Sequence, residues 1–173
     1  MDIARIPAPD VTIRPIRPDD AAALERFYES LSDESRRRRF FACTRGLSHP
    51  QATQFCCTDH DHREGFVALA EDGAAARIVG HVCLEPARDG TAEIALAVAD
   101  ELQGRGIGRA LMESSVAWAH RVGIDRLSAT MLSDNLAIHR LLTGAGLPAR
   151  VRPIGMGMDA VTIELVPATR RAA

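Results

Sequence analysis

The stretch Thr91 to Leu111, TAEIALAVADELQGRGIGRAL, limits the folds open to this chain more than any other. Its first half alternates. Ile94, Leu96 and Val98 point one way and Glu93, Ala95, Ala97 and Ala99 the other, the period-two pattern of a strand. After Asp100 come the glycines of Gln103-Gly104-Arg105-Gly106-Ile107-Gly108, and then helix-forming residues. A strand that runs through glycines into a helix leaves unpaired backbone N–H groups at the positive end of the helix dipole. Such a turn suits a phosphorylated ligand.

Around that stretch the chain is punctuated regularly. Val11 to Ile16 alternates as a first strand, and Pro18-Asp19-Asp20 opens a helix with the apolar stripe Ala23, Leu24, Phe27, Tyr28 and Leu31. Ser32 caps a second helix through the run Arg36 to Arg39, and Ser48 with Pro50 starts a third that ends near Cys57. Gly65–Glu71, Arg77–Leu84 and the Thr91 strand follow one another through short turns at Asp72-Gly73 and Arg88-Asp89-Gly90, an antiparallel meander. The helix after the glycines carries Ile107, Leu111, Trp118 and Val122 on one face and stops at Gly123. It leads to a strand at Arg126–Leu132, which the crossover makes a parallel neighbour of the Thr91 strand. Ser133 is expected to cap a helix closed by Gly146, and Arg150–Ile154 with Val161–Val166 forms a final hairpin around Gly155–Asp159. The predicted fold is therefore a single α/β (α+β) domain over residues 11–167, with a lead-in at 1–10 and a tail at 168–173. Its order is β-α-α(-α)-β-β-β-α-β-α-β-β, a mixed, mostly antiparallel sheet with helices on both faces.

Composition narrows the function. At 173 residues and 46% hydrophobic content the chain can bury a substantial core. A net charge of −2 argues against a nucleic-acid binder. Met1 to Pro9 has no apolar run and no segment is long enough to span a bilayer, so a cytoplasmic protein is expected. Cys43, Cys56, Cys57 and Cys83 have no metal-site spacing and read as reduced thiols, the adjacent pair as small residues on a buried side. Asp59-His60-Asp61-His62 has the composition of a metal cluster but no spaced partner motif, and no metal is expected. All 21 basic residues are arginine.

That last fact bears on the glycine loop. A nucleotide P-loop requires a lysine after its last glycine, and there is none. A dinucleotide fingerprint requires a third glycine where Arg109 stands and a parallel βαβ setting, whereas the preceding strands here form a meander. A ligand-free glycine turn is the plain structural alternative. The pattern Gln103-x-x-Gly106-x-Gly108 resembles instead the acyl-CoA loop of the GNAT N-acetyltransferase superfamily, Gln/Arg-x-x-Gly-x-Gly/Ala, and the element order resembles that fold over nearly the whole chain. Gly106 and Gly108 would let the backbone approach a pyrophosphate, ringed by N–H groups of Gly104, Arg105, Gly106, Ile107, Gly108, Arg109 and Ala110. More narrowly, VTIRPIRPDD, LSDESRRRRFF and AEIALAVADELQGRGIG are similar to the catalytic domain alone of bacterial Pat-type protein lysine acetyltransferases.

The resemblance implies an acetyl-CoA-dependent acyltransferase acting on an amine, a protein lysine in the Pat-type group, by direct attack in a ternary complex. Glu93 matches that group's general base. Taken alone, it is equally a strand-end glutamate in solvent or an ion pair. Backbone at Leu96, Ala97 and Val98 is implied to hold the pantetheine arm, one N–H polarising the thioester carbonyl. Asn135 matches the family's asparagine, which contacts the same arm; its alternative is a second helix cap. Many superfamily members place a tyrosine where this chain has Leu142, leaving the general acid unassigned, and Tyr28 reads as packing. Arg36 to Arg39 reads as acceptor surface, as neighbours of CoA phosphates, or as a solvated helix face. The alternatives to a protein acceptor are a small amine (polyamine, amino acid or antibiotic) and a non-catalytic acyl-CoA-sensing module. A lysine acetyltransferase without lysine cannot label its own side chains at lysine.

Overall fold

The computed structural model of the protein describes residues 10–72 and 75–165. The lead-in at 1–9, the turn residue Gly73 and the predicted tail at 168–173 lie outside the described residues. The elements run β1 (Val11–Pro15), a 3₁₀ turn (Pro18–Asp20), α1 (Ala21–Ser30), α2 (Asp33–Phe40), α3 (His49–Cys56), β2 (Glu64–Asp72), β3 (Ala75–Pro86), β4 (Ala92–Val98), α4 (Ile107–Arg121), β5 (Arg126–Leu132), α5 (Leu136–Gly144), β6 (Ala149–Gly155) and β7 (Met158–Glu164). Local chemistry sets their starts. Ser32 Oγ accepts from the N–H of Ser35 at 3.2 Å and caps α2. Ser48 and Gln51 form a reciprocal capping box at α3, with Pro50 in its first turn.

The strands form one seven-stranded sheet in the order β1-β2-β3-β4-β5-β7-β6. Every neighbouring pair is antiparallel except β4 and β5, which the α4 crossover makes parallel. The register of β2 on β3 shifts between Ala68 and Leu69, leaving Val79 unpaired in that ladder. The Val79 carbonyl instead accepts from Ala99 N–H at 2.9 Å, pinning the end of β4 where the glycine loop begins.

Helices cover both faces, as expected. Gly80, Val82 and Leu84 of β3 and Ile94, Leu96 and Val98 of β4 share the face under α4. A Cβ on Gly80 would lie 3.0 Å from Leu111 Cδ1 and 3.2 Å from Ile107 Cγ2, so only glycine lets α4 approach this closely. Trp118 is 1% exposed in the same layer, and its indole N–H donates to the His60 carbonyl at 2.9 Å. Each such fully buried side chain contributes roughly 1.5–3 kcal/mol. The other face carries His81, Cys83, Glu93, Ala95 and Ala97, and is covered by α1, α2 and α3. Tyr28 of α1 is fully buried, as predicted, but its hydroxyl bonds His81 Nδ1 at 2.9 Å, so it is polar as well as packed.

Three local expectations are corrected. The cap of α5 is Asn135, whose Oδ1 accepts from Ile138 N–H at 3.4 Å. Ser133 is drawn away by a hydrogen bond from its hydroxyl to Asp159 Oδ1 at 2.8 Å. That contact also explains why β7 begins at Met158, before the predicted Val161. Asp159 is 7% exposed and pairs with Met131, a strand position although its residue type suggests a turn. Finally, Cys56 is buried but Cys57 is exposed.

Candidate active site

The parallel pair β4–β5 is short. Its register joins Ala92 to Leu127 and Glu93 to Ser128 and goes no further. Beyond Glu93 the two strands part, while β4 stays paired with β3 through Val98. The β5-facing edge of Ile94–Val98 is thus left without a strand partner, an open row of backbone donors and acceptors. A cavity of about 110 Å³ occupies the gap. On one side of the sheet it is lined by Arg38, Arg39, Phe41, Glu93, Ala95 and Thr130. On the other it is lined by Ile94, Leu96, Met112, Ala129, Ile138, Leu142 and Val161.

The predicted residues fall along this one feature. Glu93 stands at the fork, exposed, opposite Glu85 across the β3 ladder. Glu85 is neutralised by Arg63, whose Nε and Nη2 donate to it at 2.6 and 2.8 Å. Leu96, Ala97 and Val98 form the open-edged half of β4. At its far end Gly104 and Gly106 have φ of 73° and 89°, and a Cβ on either would meet nothing within 4 Å. Those glycines therefore serve backbone conformation and clearance, not packing. Ile107 is buried and anchors α4, and Arg109 Nε donates to Glu113 at 2.8 Å. Ala110 N–H is already committed to the Gly106 carbonyl at 3.0 Å. The outward-facing helix donors are those of Ile107, Gly108 and Arg109. Free donors at a helix N-terminus, open space around the loop glycines and an unpaired strand edge together fit an extended ligand with a phosphorylated end.

Gln103 is tied into the protein: its Nε2 donates to the Val98 carbonyl at 3.1 Å and to Ser35 Oγ at 3.2 Å. Ser35 leads on to Asp100. The Asp100 carboxylate accepts from Ser32 N–H at 2.8 Å, Ser32 Oγ at 2.7 Å and Ser35 Oγ at 2.6 Å. Burial opposes its ionisation, yet these bonds hold its pKa below the usual value. The network fastens the N-terminus of α2 to the glycine loop. At its other end α2 reaches over the cavity, where Arg38 Nη1 donates to Asn135 Oδ1 at 3.3 Å. Asn135 is thus both the cap of α5 and part of the cavity wall.

Arg38 and Arg39 are site-lining residues that a reading of the sequence leaves undifferentiated within their run. Helical period is the signal for Arg39: counted from the Ser32 cap, Arg36, Arg39 and Phe40 share one face, which Phe40 marks as inward. Nothing in the run singles out Arg38, whose place is set by Asn135. Asp59-His60-Asp61-His62 stays outside the site. Asp59 Oδ1 accepts from the N–H groups of Asp61, His62 and Arg63, which lowers its pKa to about 2, chiefly through Arg63 and His62. Among the described residues no group of three or more potential ligands is arranged to hold a metal ion. No described helix is long and apolar enough to cross a membrane.

Known proteins share this architecture. The model of the acetyltransferase (GNAT) family matches residues 23–146. The acetyltransferase Pat of Mycolicibacterium smegmatis is 28% identical over 87% of this chain, which spans only 45% of that protein's length. The acetyltransferase PA5475 of Pseudomonas aeruginosa is 29% identical over 83% of this chain and 77% of its own. The crystal structure of the GNAT domain of S. lividans PAT superposes with a TM-score of 0.78 at 32% identity, covering 90% of each chain. The structure of yncA from Salmonella typhimurium with its cofactor acetyl-CoA has a TM-score of 0.68 at 21% identity over 94% of this chain and 96% of its own. Family match and fold agree: this chain belongs to the GNAT acetyltransferase family, and its domain resembles the GNAT domain of Pat.

Proposed function

We propose that the protein transfers an acetyl group from acetyl-CoA to a protein lysine, by direct attack of the amine and without an acyl-enzyme. The observation that carries this reading is the fork of β4 and β5, with a carboxylate at its apex and a glycine-rich helix N-terminus at its far end. Acetyl-CoA supplies the activated acetyl group as a thioester. The N–H groups of Ile107, Gly108 and Arg109, with the clearance given by Gly104 and Gly106, would hold its pyrophosphate. The open edge at Leu96–Val98 would orient its pantetheine arm, and Asn135 closes the opposite wall. A lysine amine is protonated at neutral pH, so attack requires a base. Glu93 takes that proton, directly or through water, from the exposed end of the cavity. A protein acceptor is supported by the 32% identity to the PAT domain over nine-tenths of both chains.

The test is an acetyl-transfer screen against lysate proteins and a panel of free amines, run beside Glu93→Gln. Protein acetylation by the wild type and a kcat loss of about 10²- to 10⁴-fold in the variant, with acetyl-CoA affinity retained, are expected. Transfer only to polyamines, amino acids or antibiotics would replace the acceptor. CoA-dependent stabilisation with no transfer to any amine would make the domain a sensor. An unchanged kcat in Glu93→Gln at saturating substrates would remove Glu93 as the base.

A further inference from the structure

Of the four consecutive arginines on α2, three are paired with carboxylates. Arg36 pairs with Asp33, and Arg37 and Arg38 pair with Glu34. Arg39 forms no ion pair among the described residues. Its guanidinium lies over the rings of Phe40 and Phe55, 5.0 and 5.7 Å from their centroids, and its Nε is buried without a partner. Its Nη2 donates to a sulfur, Cys83 Sγ, at 3.2 Å. Yet it lines the same cavity wall as Glu93 and Ala95. A cation with no ion-paired carboxylate among the described residues, set against aromatic rings at the edge of a cavity, is a departure from good packing of the kind retained where an anion arrives during function. Burial works against its charge, but Tyr28, Cys83 and Glu93 around it hold it protonated.

The cavity wall defines which anion that is. Its lining holds no tyrosine, histidine, cysteine or lysine that could hand a proton to a departing group. Once Glu93 has relayed the ammonium proton to solvent, attack by the neutral amine forms the new N–C bond and breaks the C–S bond, leaving the electron pair on sulfur, while the amine's second proton passes to Glu93. Charge then balances as amide, thiolate and protonated Glu93, which returns its proton to solvent. We propose that Arg39 stabilises the leaving sulfur as the thiolate, by charge and by an N–H···S hydrogen bond of the kind it already makes to Cys83, so that no general acid is needed. Arg38 cannot take this part, being committed to Glu34 and Asn135. The inference rests on the acetyl-CoA reading of the site.

The experiment is calorimetric binding of CoA and of desulfo-CoA, in which hydrogen replaces the thiol, to the full chain from about pH 7 to pH 9.5, a range that brackets a free thiol pKa of about 8.5. In the wild type CoA should gain on desulfo-CoA as pH rises, reaching about tenfold or more, the size of a charge-assisted hydrogen bond. Arg39→Gln should flatten that gain and Arg39→Lys retain part of it. A purely structural Arg39 would leave the pH-dependent preference unmoved, and such a result in a folded Arg39→Gln overturns the proposal. Should Arg39→Gln not fold, ultraviolet titration of the thiol bound to wild type decides: a pKa below that of free CoA supports the proposal, an unshifted one overturns it. Failure to bind either ligand at any pH would instead overturn the acetyl-CoA reading itself.

Discussion

The two faces of β3 and β4 are covered by opposite chemistry. Under α4 the layer is Gly80, Val82, Leu84, Ile94, Leu111 and Trp118, apolar and so closely approached that a Cβ at Gly80 would press on Leu111 and Ile107. Under α1, α2 and α3 the sheet presents His81 and Cys83, met by Tyr28 and Arg39. His81 and Tyr28 are both 0% exposed, so solvent does not satisfy them. The first face contributes stability through volume and dispersion. The second costs desolvation and recovers it only through specific partners. Glu93 belongs to the second face, on the odd-numbered side of β4. The Glu93 carboxylate thus opens onto the wall where hydrogen bonding and charge are already arranged, and the dry wall behind it keeps the strand in place.

The largest effect that would test this division is Leu111→Ala. Leu111 is fully buried and touches the space above Gly80, so its loss leaves a cavity that a tightly packed neighbourhood cannot close. A destabilisation of about 2–5 kcal/mol is expected in urea unfolding, of equal size at acid and neutral pH because no titrating group is involved. A loss below about 1 kcal/mol, or one that changes with pH, would contradict a volume-dominated face.

How far this contrast is legible in the sequence depends on the side of the sheet. The alternation through Thr91–Ala99 gives β4, its two faces and the placing of Glu93 with Ala95 and Ala97, and β5 falls on Arg126–Leu132 as expected. The glycine loop is legible because positive φ restricts residue choice locally. What the sequence conceals is set by partners distant in the chain. Ser133 and Asn135 are equally good caps until Asp159, 26 residues on, takes the serine. His81 and Tyr28, 53 residues apart, give no hint of pairing. The arginine run reads equally as acceptor surface, as neighbours of CoA phosphates or as a solvated helix face, yet only Arg38 and Arg39 of it reach the cavity, because a helix assigns neighbours to different faces.

A smaller effect should come from His81, and only from the polar face. Burial, with the charge of Arg39 adding to it, pushes its pKa down from 6.5 to about 3. The unfolded chain takes up a proton below pH 6.5 that the folded chain refuses until about pH 3, so stability is full above 6.5 and lost as pH falls. The slope for one proton is at most about 1.4 kcal/mol per pH unit. Asp20, Asp59 and Asp100, whose pKa values are also lowered, add losses in the same direction only nearer the carboxylate range. The diagnostic window is therefore about pH 6.5 to pH 5. His81→Gln should flatten the stability curve there, and an unchanged slope would show that His81 is not held neutral by its surroundings.

The smallest effect distinguishes a satisfied polar pair from mere packing. Tyr28 stays protonated, its pKa raised to about 12 chiefly by burial, and its hydroxyl is the only partner of the His81 ring, whose Nε2 has none among the described residues. Tyr28→Phe conserves the ring contacts with Phe27 and Phe40 and leaves both imidazole nitrogens unpaired. It should cost about 1–2 kcal/mol, because a buried group loses its hydrogen bond and gains no water in exchange. His81→Leu alone should cost a similar amount, by removing this partner from the Tyr28 hydroxyl instead. The double variant, Tyr28→Phe with His81→Leu, removes both polar groups together and should be less destabilised than the two singles added, by about 1 kcal/mol. Strict additivity would mean the 2.9 Å contact contributes nothing, and the polar face would then be held, like the α4 face, by volume alone.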